Sequence, residues 1–167
     1  EDHMLSPLVP DGVEFRRVDG RVPVAIDRYL WVSHLTRWGL AGIPRSQLDA
    51  TRRALSPRRP SRRDRLVLIS RADAAKGRGL AREDEIARGL ADLGYERVVL
   101  GQLPIAEQIE LVHDARAVVA PHGAGLGNLL FADSIEVVEL FPTPEVWPHY
   151  LLLSAVAGHR HRVLCGH

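Results

Sequence analysis

The chain has 167 residues, 46% of them hydrophobic and 26% charged, enough apolar mass for one packed domain and unlike a disordered or low-complexity chain. Its formal net charge of +1 argues against a general polyanion binder. A lone cysteine, Cys165, forbids an intrachain disulfide and fits a reducing compartment, and no apolar run of about 18 residues is present to span a membrane.

Residues 1–4 read as a tag remnant ahead of Met4, and no secretory signal is expected after it. Residues 1–62 form an irregular N-terminal segment. It holds an expected strand around Val22 to Val32, an expected helix from Ser46 to Leu55, and a connector, Ser56 to Arg63. The connector carries two prolines among its arginines, cannot continue a helix, and reads as a solvated linker. Lys76 is the only lysine. Genome bias accounts for that, so arginine abundance alone is no sign of phosphate binding.

From residue 63 to 167 the pattern becomes regular. Arg65 to Ser70 is a short apolar run, the mark of a strand buried on both faces. Ala81 to Leu93 is helical, with Ile86, Leu90 and Leu93 on one face and Gly94 where a C-cap glycine belongs. Arg97 to Leu100 is a second strand, and Pro104 opens a second helix that carries Ile105, Ile109 and Val112 on one face. Ala117 to Ala120 is a third strand, followed by a short helix from Gly125 to Phe131. A fourth strand runs from Glu136 to Phe141, a long helix from Val146 to Val156, and a final strand from His161 to Leu164.

Strands alternating with helices predict βαβ units in a parallel sheet, with helices on both faces: a Rossmann-like, three-layer α/β domain. Ligands bind such sheets beyond the carboxyl ends of the strands. The loops of interest are therefore Ser70 to Arg82, Gly101 to Leu103, Pro121 to Asn128, and Pro142 to Glu145.

The loop Pro121-His122-Gly123-Ala124-Gly125-Leu126-Gly127-Asn128 leaves a buried strand and opens a helix. Glycines allow close backbone approach to a ligand, and a helix start offers free N–H groups and a positive dipole end that suit a phosphate. Asn128, the only asparagine, either meets the ligand or makes a local helix-start hydrogen bond. The dinucleotide fingerprint GxGxxG fits poorly: the glycines fall at 123, 125 and 127, and the loop follows the third regular strand rather than the first.

The Ser70 to Gly79 loop is basic, and Arg71, Lys76 and Arg78 are placed to converge on a diphosphate, where a guanidinium makes two parallel bonds. His122 flanks this site and is the best candidate for a group near the sugar or the phosphates; no catalytic residue is assigned. Glu139 ends a buried strand, where an unpaired carboxylate is costly, so it is expected to point into the cleft toward ribose hydroxyls or to pair with an arginine. Glu83 and Glu85 start a helix, which favours carboxylates in any case. His159, His161 and His167 are interleaved with or near arginines and have no CxxC or HExxH partner, so no metal is expected. Aromatic residues are 5% of the chain and the basic ones are dispersed, so no nucleic-acid partner is expected.

Taken together, Ile69-Ser70-Arg71, Arg78, Glu83-Asp84-Glu85, the stretch from Ala115 into Pro121-His122-Gly123-Ala124-Gly125-Leu126 with Asn128 and Phe131, then Val138-Glu139-Leu140, Tyr150 and Ala155, resemble glycosyltransferase family 61. The resemblance runs over roughly residues 64–162. It implies the C-terminal, donor-binding half of a GT-B enzyme of bacterial capsular-polysaccharide or glycan synthesis, with a further N-terminal domain. Implied too is inverting transfer of a sugar from a UDP-sugar or other nucleoside-diphosphate sugar to an acceptor hydroxyl, with no cofactor and no metal. By the same resemblance Arg71, Arg78 and the start of the helix at Gly123, Ala124 and Gly125 grip the diphosphate, His122 lies beside the sugar or phosphate, and Glu139 lies near the ribose. The implied location is the cytoplasm or the cytoplasmic face of the inner membrane. Arg82 stands where the family carries an asparagine before its Glu-x-Glu. The alternatives are a non-catalytic nucleotide- or sugar-binding module and, less well supported, an NAD-type oxidoreductase.

Overall fold

A computed structural model describes residues 44–73 and 79–166, together with Arg21 and Ala25. The strand expected around Val22 to Val32 lies outside the described residues, apart from Ala25. In chain order the elements are α1 (Arg45–Leu55), β1 (Arg65–Ser70), α2 (Glu83–Ala91), β2 (Glu96–Val99), α3 (Ile105–His113), β3 (Ala115–Pro121), a 3₁₀ helix (Ala124–Phe131), β4 (Glu136–Phe141), α4 (His149–Ala157) and β5 (Arg160–Cys165). The five strands form one sheet in the order β2-β1-β3-β4-β5, every pair parallel.

This is a Rossmann-like α/β fold. α1, α3, α4 and the 3₁₀ helix pack together on one face of the sheet, while α2 lies against β1 and β2. Right-handed crossovers require this split, because the chain steps from β1 to β2 in one direction and from β2 through β5 in the other. The reversal falls between β1 and β3. A parallel sheet opens a crevice at that point, where the loops leaving the two strands diverge to opposite faces.

Alternate residues of the central strands serve the two layers. Val67, Ile69, Val118, Ala120 and Val137 join the main core, which also takes in Leu111, Val112, Leu126, Leu129 and Leu153. The helix end expected at Gly94 is found there. Gly94 takes φ +86°, and Tyr95 N–H bonds Leu90 O at 3.0 Å while Gly94 N–H bonds Ala91 O at 2.9 Å, a Schellman closure of the turn after α2. Gly158 (φ +80°) closes α4 in the same way, with His159 N–H on Ser154 O at 2.9 Å.

Three boundaries differ from expectation for physical reasons. α4 starts at His149 rather than Val146, because Trp147 precedes Pro148 and such a residue is pushed out of the helical region. α2 starts at Glu83, since Arg82 sits in the left-handed region (φ 59°, ψ 30°), a conformation an asparagine tolerates better. The expected short α-helix after the glycine loop is a 3₁₀ helix; three glycines among its first residues and their neighbour leave i→i+3 bonds such as Leu126 N–H to Gly123 O at 3.0 Å.

The stretch read as a solvated connector is pinned to the sheet domain. Arg59 makes two 2.7 Å bonds to Asp114, a 4%-exposed residue, and Arg62 N–H adds a third at 3.0 Å. These partners, the Arg59 hydrogen bonds foremost, hold the Asp114 carboxyl well below the usual carboxylate range. Before the connector, Leu48 of α1 is 1% exposed and belongs to the main core, and Arg52 reaches the carbonyls of Leu130 and Ala132 at the end of the 3₁₀ helix. Packing therefore continues across residues 62 and 63.

Candidate functional site

The carboxyl ends of β1 and β3 bring Arg71 and His122 together at the reversal point. Arg71 Nη1 donates to His122 O at 2.6 Å, and His122 N–H in turn bonds Leu140 O of β4 at 2.9 Å. The guanidinium lies directly over Gly123: a Cβ built there would come 2.5 Å from Nη1, 2.8 Å from Cζ and 3.2 Å from Nε. Gly123 has φ 161°, extended backbone open to any residue, so the glycine is required here by the arginine above it and not by its own dihedrals.

The neighbouring glycines do different things. A Cβ on Gly125 would sit 3.1 Å from Leu100 and 3.3 Å from Ile69, so this glycine lets the 3₁₀ helix press against the ends of β1 and β2. Gly127 has nothing within 4 Å. Ala124 is exposed at the start of the 3₁₀ helix, where the first N–H groups have no intrahelical partner.

Arg71 is supported from below. Arg97 of β2 bonds Glu83 at 2.7 Å and Asp84 at 2.6 Å, and Ser70, the residue before Arg71, donates to Glu83. The acidic start of α2 therefore braces the end of β1. Arg71, Glu83, Asp84 and Arg97 line a cavity of about 500 Å³ that runs past Gly79 and Leu80 to Arg88.

Glu139 departs from expectation. It is 0% exposed, so it does not open into the cleft, and its partners are histidines rather than an arginine. His122 Nδ1 is 2.6 Å from its Oε1, and His161 Nε2 is 3.0 Å from its Oε2. His161 Nδ1 lies 2.6 Å from Ser154 Oγ on α4. The His122 ring is stacked on Phe141, with centroids 4.8 Å apart, and has Tyr150 at 5.3 Å and His149 at 6.2 Å. Burial, together with the Glu139 charge, pushes the Tyr150 hydroxyl above its ordinary range. Arg71 thus stands on the β1 side of the loop and the His122 ring on the β4 side, over Phe141.

Asn128 also differs from the ligand-facing reading: its amide donates to Gln108 Oε1 at 3.1 Å and ties the 3₁₀ helix to α3. Arg78 and Lys76 lie outside the described residues. His159 is buried, with Nε2 on Leu129 O at 2.9 Å and Nδ1 accepting from Ile135 N–H at 3.3 Å; burial holds its pKa below the usual value. Sequence reasoning missed His161 and Ser154. The signal was present in the alternation Arg160-His161-Arg162, which puts His161 on the face opposite two exposed arginines, in register with buried Val137.

Among the described residues, no helix is long and apolar enough to cross a membrane. No curated protein matches the chain. The profile of the Glycosyltransferase 61 family matches residues 2–138, which begins well before the resembling stretch, takes in Arg71, His122 and the glycine loop, and ends one residue short of Glu139. With that match over most of its length, the chain belongs to glycosyltransferase family 61.

Proposed function

We propose that this protein transfers a sugar, with inversion, from a nucleoside-diphosphate donor to an acceptor hydroxyl in glycan synthesis, as the donor-binding half of a GT-B arrangement. The observation that carries the reading is Arg71 laid across Gly123 at the reversal point of the sheet. A guanidinium there is next to the first N–H groups of the 3₁₀ helix, and both favour an anion. Sugar transfer develops negative charge on the leaving diphosphate, so groups fixed in place at this point lower the barrier without a metal. Arg78 is the second proposed diphosphate contact, and the His122 side of the loop is left for the sugar.

A thermal-shift panel with UDP, GDP, CDP and NAD tests this. A nucleoside diphosphate should stabilise the protein, by about 2.7 kcal/mol at a concentration a hundredfold above its Kd, and NAD should not. Stabilisation by NAD alone overturns the reading. Donor turnover separates an enzyme from a module that only binds.

A further inference from the structure

We propose that His122 is the general base of the transfer, and that Glu139, His161 and Ser154 are positioning residues that hold it in the tautomer able to act. This rests on the reading of the site as a sugar-transfer centre.

Proton placement along the chain of contacts leads to this assignment. An ionised carboxylate only accepts hydrogen bonds, and both Glu139 oxygens face imidazole nitrogens, at 2.6 Å and 3.0 Å. His122 Nδ1 and His161 Nε2 are therefore the protonated nitrogens. With a single proton on His161, its Nδ1 is an acceptor, and the Ser154 hydroxyl, 2.6 Å away, is its donor. Ser154 and Glu139 are 0% exposed and the His161 side chain 2%. Among the described residues one lone pair then remains, on His122 Nε2, and His122 is the only one of the four with appreciable exposure, its side chain 24%.

The scaffold makes this arrangement rigid. The four side chains come from the residue that follows β3 and from β4, β5 and α4, and Phe141 fixes the plane of the His122 ring. A core of this size needs no carboxylate for packing, and burying one is costly unless its charge is used. Here the charge is wholly enclosed except through the partly exposed His122 ring, which lies over Phe141 on the β4 side of the loop whose β1 side carries Arg71.

The chemistry balances. As the acceptor oxygen bonds to the anomeric carbon, its proton moves to His122 Nε2. The bond from that carbon to the diphosphate oxygen breaks, and the electron pair stays on the diphosphate, beside Arg71. The resulting imidazolium keeps its Nδ1–H on Glu139, whose charge stabilises it without taking the proton.

Imidazole ¹⁵N NMR at neutral pH reads the tautomer without any turnover. His122 should be protonated at Nδ1 and bare at Nε2; protonation at Nε2 overturns the proposal. Glu139→Gln offers one carbonyl to two N–H groups, so it should cut kcat by on the order of 10²- to 10⁴-fold while UDP affinity by calorimetry changes by less than about twofold. Retained turnover in that variant overturns the assignment. Should Glu139→Gln fail to fold, Ser154→Ala, which leaves His161 Nδ1 without its donor, should lower kcat with donor KM unchanged and blur the His122 tautomer, and a wild-type spectrum and rate would refute the role of the chain. Failure of UDP to bind wild-type protein counts against the donor site instead, and the tautomer measurement is independent of it.

Discussion

Gly123→Ala is the sharpest probe of the donor cradle, because the structure predicts its effect to pass through a single neighbour. The added Cβ would meet Arg71 Nη1 at 2.5 Å and Cζ at 2.8 Å, far inside any real contact. The backbone at Gly123 is extended, φ 161°, so alanine brings no dihedral strain. The clash is with the far end of a flexible side chain, which swings away and gives up its 2.6 Å bond to His122 O. The fold should survive with a stability change within about 1 kcal/mol, the range of substitutions that leave the core intact. Diphosphate affinity should fall by about 1.5–3 kcal/mol, the worth of a hydrogen bond to a charged group, or roughly 10- to 150-fold in Kd. Calorimetric titration of UDP into wild type, Gly123→Ala, Arg71→Ala and the double variant measures this. Because both changes remove the same contact, the double variant should bind no more weakly than Arg71→Ala alone. Additive losses, or an unchanged affinity for Gly123→Ala, would refute the argument that the glycine exists to seat the arginine.

Two further perturbations test how the site is held in place. Asp114→Asn should destabilise the protein at neutral pH, since it replaces a buried carboxylate with a neutral amide opposite the partly exposed Arg59. The folded-state pKa of Asp114 is depressed, so its contribution is fully present above the unfolded value of about 4 and is lost progressively as pH falls from there through the folded-state value; the gap between the urea midpoints of wild type and variant should narrow steadily below about pH 4, and a gap independent of pH would contradict the assignment. Leu48→Ala should cost about 2–5 kcal/mol in one cooperative transition, because Leu48 is 1% exposed in the core shared with the sheet; a separate low-temperature transition for α1 would show that it folds apart from the sheet.

The order of elements was legible from the chain because each carries a short-range signature. Apolar runs such as Val67-Leu68-Ile69 and Val137-Val138 fit strands covered on both faces, and Gly94 marks a helix end that needs positive φ. β4 was placed to the residue, Glu136 to Phe141. The proximity of Arg71 to His122 also followed from sequence, since in a parallel sheet the loops leaving the carboxyl ends of strands share one edge. What the chain does not announce is a side chain satisfied by a partner distant in sequence: Arg59 with Asp114, Asn128 with Gln108, and Glu139 with His161.

By itself, then, the sequence determined local geometry and the sheet edge at which chemistry belongs, because hydrophobic period, glycine and proline act within a few residues. Tertiary structure alone decided what the buried charges do. Register sets Val137 beside His161 and brings Glu139 between two imidazoles, and no spacing along the chain encodes that meeting of β3, β4, β5 and α4. A carboxylate taken out of water must find donors wherever the fold supplies them, and here the fold supplies them from strands on either side.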